Sequence, residues 1–150
     1  MYKNSFVHYV TKVLLDVMFF GGILCCIAVP FIMPWLIEYF NYRQIDAAAY
    51  TAILMSSGLC ALYILLQLKA MFKTLLGGDP FIAKNVSCLR KCAVTSVLIA
   101  IIYFVKVCIW FTVASALIVV IFALLGLFCL TLKDVFKQAI AYKEENDWTV

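Results

Sequence analysis

The chain has 150 residues, of which 67% are hydrophobic and 13% charged, with a formal net charge of +4. Soluble domains run near 25% charged and about 45–50% apolar, and a chain this short has too little interior to hide the excess. That excludes a soluble globular fold; lipid is the solvent that fits, and one domain is the expectation.

The first apolar run covers about Val13–Ile37 and meets the length of roughly 20 residues that a helix needs to cross the hydrocarbon core. It is interrupted by Asp16 and ends near Pro34-Trp35 without a small-x-small cleavage site, so it is expected to be a mature span and not a signal peptide. Asp16 is the one acid inside a span, a position where acids often mark ion paths. It lies four residues after Lys12 near the span's end, and an i, i+4 ion pair with that lysine is the plainer expectation. His8 is the only histidine and has no partner residues for catalysis or metal binding in its sequence neighbourhood.

The second span is expected over about Ala47–Leu68. Small residues of the first two spans, Gly21, Gly22, Ser56, Ser57 and Gly58, allow close helix approach. Beyond the second span the chain reads LKAMFK, and the pattern returns as LKDVFK at Leu132–Lys137. In each copy the apolar residues recur at i, i+3, i+4, i+7 and i+8, one stripe of a helix. Both even-numbered spans therefore continue past the membrane as amphipathic extensions. Duplication would make the chain two hairpins of one orientation, an arrangement of the kind seen in transporters with parallel repeats. A shared preference of inner helix ends for this spacing explains the motif equally well.

Gly77-Gly78 is a helix stop. Asp79-Pro80 follows, an N-cap residue and a proline suited to the first helical position, and predicts a new helix from there. Residues 69–91 thus form a helical hairpin leading into the third span, about Cys92–Ile109. The fourth span covers about Val113–Leu132, and the chain must turn between them although no Gly or Pro marks the place. Lys106 is the only charge between Lys91 and Lys133 and is expected to lie near that turn and snorkel outward. Residues 133–150 form a second polar extension.

Basic residues orient the chain. With the N-terminus inside, Lys3, Lys12, Lys69, Lys73, Lys84, Arg90, Lys91, Lys133, Lys137 and Lys143 are cytoplasmic, against Arg43 and Lys106 outside. Both termini are then cytoplasmic, in a cell membrane, and Trp35, Tyr39, Tyr42 and Tyr50 form an outer aromatic belt. The expected fold is all-α: a polytopic membrane protein of four transmembrane helices with cytoplasmic helical extensions.

The seven cysteines fit no common disulfide or zinc spacing. Cys88 and Cys92, four apart and beside Arg90 and Lys91, could be activated thiols, but small packing residues are the better expectation. No catalytic set, metal site or cofactor is expected.

Two motifs resemble a known family. GGDPFIAKNVSCLRK matches at Gly78, Pro80, Phe81, Asn85, Leu89 and Arg90, and the terminal KEENDWTV at Glu145, Asn146, Asp147, Thr149 and Val150. Together they resemble the YoaS-like family, bacterial four-span membrane proteins of unknown function, and the resemblance covers most of the chain. Trp148 departs from the leucine expected there. The resemblance implies no enzyme activity. It implies a partnership with a small helix-turn-helix regulator of the Cro type, with no direct nucleic-acid contact by this chain.

The function expected is that of a non-enzymatic membrane protein whose cytoplasmic face binds such a regulator. The candidate contact residues are Asp79, Pro80, Phe81, Asn85, Arg90, Glu145, Asn146, Asp147, Trp148, Thr149 and Val150. The three acids Glu144, Glu145 and Asp147 oppose the helix macrodipole where they stand, so docking, onto the chain's own Lys84, Arg90 and Lys91 or onto a partner, gives them a use. A small transporter or channel, acting as a homo-oligomer, and an immunity protein against a membrane-active peptide are the alternatives.

Overall fold

The computed structural model describes residues 6–40, 46–78 and 80–148. Four helices account for them: α1 (Phe6–Tyr39), α2 (Ala47–Leu76), α3 (Ala83–Ile109) and α4 (Val113–Trp148). All four are long and apolar enough to cross a membrane, the build of a multi-pass membrane protein. In hydrocarbon every backbone N–H and C=O must be satisfied within the segment, and the helix does this.

The helix boundaries have local causes. Asp46 caps α2, its carboxylate accepting from the Ala48 N–H at 3.0 Å. At the other end the N–H of Gly77 donates to the Lys73 carbonyl, and Gly78 takes φ = +87°, a left-handed conformation that glycine alone adopts freely. The α3–α4 turn is only Trp110–Thr112. Thr112 stops the chain there: its hydroxyl accepts from the Ser115 N–H at 3.3 Å, and its carbonyl accepts from the Ala116 N–H.

One expected boundary is corrected. α3 does not start at Pro80 but at Ala83, with Ile82 as N-cap and no side-chain cap bond. The Pro80 carbonyl is held instead by the Asn85 side chain, which keeps residues 80–82 in a turn outside the helix. Asp79 lies outside the described residues.

The helices pack antiparallel in chain order, α1 on α2, α2 on α3 and α3 on α4; among the described residues no other pair packs backbone to backbone. Small residues set the approach. A β-carbon on Gly58 would sit 2.8 Å from Cys26 Sγ, and one on Gly126 2.9 Å from Val97 and 3.4 Å from the Ala93 carbonyl. Gly21, by contrast, meets nothing.

α3 is the central element. Its buried face runs Asn85, Cys88/Leu89, Cys92/Ala93, Ser96, Ile99/Ala100, Tyr103 and Lys106, while Val94, Leu98, Ile101 and Phe104 face outward. The soluble pattern is inverted here. Lipid is as apolar as a leucine, so large aliphatic side chains lose nothing by facing it, and small or polar groups are placed against neighbouring helices. The accessible surface of 10616 Å², against about 7,700 Å² for a compact soluble chain of this mass, has the same origin.

Candidate functional site

One end of the bundle collects the start of α1, the α2–α3 turn and the end of α4. Asn85 organises it. The residue is 1% exposed; its amide N–H₂ donates to the Pro80 carbonyl at 2.7 Å and to the Thr74 hydroxyl at 2.7 Å, which itself donates to the Met71 carbonyl. A buried amide with its partners in place rigidifies what it joins, and here it joins the last turn of α2 to the first of α3. Phe81, beside it in the turn, packs its ring 5.2 Å from Phe136 of α4. The turn is therefore tied to both neighbours.

The repeated motif converges on this place. Phe72 and Phe136, equivalent positions of the two copies, line one cleft of about 320 Å³ together with Pro80 and Asn85. Beyond Phe136, α4 runs on as helix to Trp148, and residues 141–146 are exposed. Glu145 stands nine residues, about 13 Å of helical rise, past the aromatic contact. The fold thus brings Pro80, Phe81 and Asn85 together and holds Glu145 and Asn146 apart from them, farther along α4. Arg90 is exposed on α3 with Lys84 and Lys91. Asp147 and Trp148 are in the last turn of α4; Thr149 and Val150 lie outside the described residues.

Two charged residues depart from expectation. Asp16 does not pair with Lys12 one turn away; it reaches across to Lys69 of α2 at 2.6 Å. Lys69 is fixed there by the rings of Phe19, 4.6 Å from its ammonium, and Phe20, so it offers Asp16 a charge already held in place. Lys106 lies near the α3–α4 turn, as expected, but it turns inward and is 5% exposed. Its ammonium donates to Ser115 Oγ at 2.7 Å and contacts the Tyr50 hydroxyl at 3.4 Å, with the Tyr50 and Tyr103 rings 4.8 and 5.7 Å away. Hydroxyls on α2 and α4 and two ring faces give it polar partners inside the bundle, which snorkelling would forgo.

Cys92 and Cys129 are buried in one core cluster where α3 meets α4, and Cys88 is buried on the Asn85 face of α3; all three act as small packing groups while Arg90 and Lys91 point away. No group of three or more metal-ligating side chains occurs among the described residues.

A family model described as "Protein of unknown function (DUF2975)" matches residues 7–150. No curated protein and no solved structure matches the chain.

Proposed function

We propose that this chain, which belongs to the DUF2975 family of unknown function, is a non-enzymatic protein of the cell membrane that docks a cytoplasmic protein partner on the end organised by Asn85. The observation that carries this reading is the continuity of α4. At 36 residues it is about 54 Å long, some 24 Å more than a hydrocarbon core of about 30 Å accommodates. The surplus is a pre-formed helix, braced at Phe136 by the α2–α3 turn, so a partner would not have to order it on binding. Helix-in-groove recognition uses such an element.

Its chemistry favours a basic partner. Glu144, Glu145 and Asp147 put three acids within the last seven residues of the sequence, a density of negative charge closer to a short run of phosphates than to a helix end built for stability. The DNA-reading face of a small helix-turn-helix regulator is basic and complementary to it. Sequestration of that face at the membrane, with release on a signal, is the mode of action that follows. The excess of Lys and Arg at the same end supports a cytoplasmic location for it.

The test is photo-crosslinking from position 145 in native membranes, with identification of the captured protein. Removal of Lys143–Val150 is expected to abolish capture while the protein still inserts. Recovery of the same partner with and without those residues would overturn the docking role of α4. Transport is the weaker reading, because Asp16, the acid it would use, is occupied by Lys69.

A further inference from the structure

The opposite end of the bundle, where the α1–α2 and α3–α4 connections lie, holds a second cleft of about 290 Å³ between α1, α2 and α3. Leu36 and Ile37 of α1, with Phe40 just past its end, form an apolar wall; Trp110 and Thr112 form the rim; Tyr50 and Lys106 form the polar end. Lys106 is three residues, about 4.5 Å of rise, from the end of α3. That is the level of the stacked rings of Trp35 and Tyr39, the kind of aromatic pair that marks a headgroup boundary.

The charge balance there is incomplete. An ammonium has three N–H donors, and Lys106 engages two, both with neutral hydroxyls. Hydroxyls and ring faces solvate a cation without cancelling its charge. The α3 carbonyls in its own last turn contribute only a fraction of a negative charge. No carboxylate pairs with it among the described residues: the acids of this end, Glu38 and Asp46, form no ion pair with it, Asp46 accepting from the Ala48 N–H instead, and Asp16 and Asp134 pair with Lys69 and Lys133 at the other end. A buried charge is ordinarily matched by an opposite one.

We propose that this cleft binds an anionic single-chain amphiphile. Its carboxylate or phosphate head pairs with Lys106 and accepts from the Tyr50 and Thr112 hydroxyls, and its tail lies along Leu36, Ile37 and Phe40. A soluble anion would gain the head contact alone; a neutral lipid would gain only the wall. The requirement for both follows from a cleft that is apolar along α1 and cationic at one end.

Trp110 on the rim provides the readout. In full-length protein carrying Trp35→Phe and Trp148→Phe it is the sole tryptophan, and dibromostearate quenches a tryptophan only on contact. Saturable quenching is expected, with half-saturation at least about tenfold lower for the acid than for its methyl ester, the scale of one missing charge pair. Lys106→Met is expected to raise the value for the acid by about fivefold or more, and Lys106→Arg to leave it within about threefold. Sodium acetate and inorganic phosphate at millimolar concentration are expected not to displace the probe. Equal quenching by acid and ester, or an unchanged titration of Lys106→Met, overturns the site. Displacement by acetate or phosphate overturns the amphiphile as its ligand. Should Lys106→Met fail to fold, the acid–ester comparison in the parent protein decides alone.

Discussion

Replacing Asn85 with alanine is expected to open the α2–α3 hairpin. The side chain makes two hydrogen bonds of 2.7 Å, to the Pro80 carbonyl and the Thr74 hydroxyl, in a position 1% exposed. Each neutral bond contributes about 1 kcal/mol net, and the Pro80 carbonyl left without its donor adds a further desolvation penalty, so the loss is about 2–3 kcal/mol. Thr74 keeps its bond to the Met71 carbonyl, which limits the damage on that side. Cys88 reports the opening: it is three residues along the same face of α3 and 5% exposed. In a variant retaining Cys88 as its sole cysteine, maleimide reaches the thiol only when the hairpin opens. The labelling rate then follows the opening equilibrium, and 2–3 kcal/mol corresponds to an acceleration of roughly 30–150-fold. Thr74→Val, which leaves the Pro80 bond intact, is expected to accelerate labelling only about fivefold, the equivalent of about 1 kcal/mol. If Asn85→Ala accelerates labelling less than about threefold, the amide is not what closes this hairpin, and the rigid platform proposed for partner docking loses its basis.

Gly126→Ala places a β-carbon 2.9 Å from Val97 Cγ2; β-branched valine is stiff in a helix, and a destabilisation of about 1–3 kcal/mol is expected in denaturant titrations. Asp16→Asn and Lys69→Met, combined in a double-mutant cycle, are expected to couple by no more than about 1 kcal/mol, because the pair is 39% and 31% exposed and screened; stronger coupling would show that lipid, not water, surrounds it. Gly78→Ala is expected to cost about 1 kcal/mol through its φ of +87°. Membrane-impermeant maleimide applied outside cells is expected to label the exposed native Cys108 and not a cysteine placed at position 78; the reverse result would invert the proposed orientation.

Much of the architecture was legible in the residues. A run of twenty apolar side chains has one stable form in lipid, and Gly77-Gly78 stops a helix wherever it stands. Even the unmarked α3–α4 turn follows from a limit of length, with Thr112 as the local stop that the absence of Gly and Pro had concealed. The candidate site was legible only in part. Phe81 and Asn85 stand out in a motif, but that they serve to brace the turn, with Phe136 as the third member, depends on residues 11 to 55 positions apart meeting.

What one-dimensional pattern could not decide was which face of each helix is inside. In water, apolar periodicity names the buried face. In lipid the exterior is as apolar as the core, so the choice falls to close packing at Gly58 and Gly126 and to polar groups finding partners, both properties of pairs of helices. That is why Lys106 turned inward to Ser115 and Tyr50, and Asp16 across to Lys69, although the chain alone pointed each of them elsewhere.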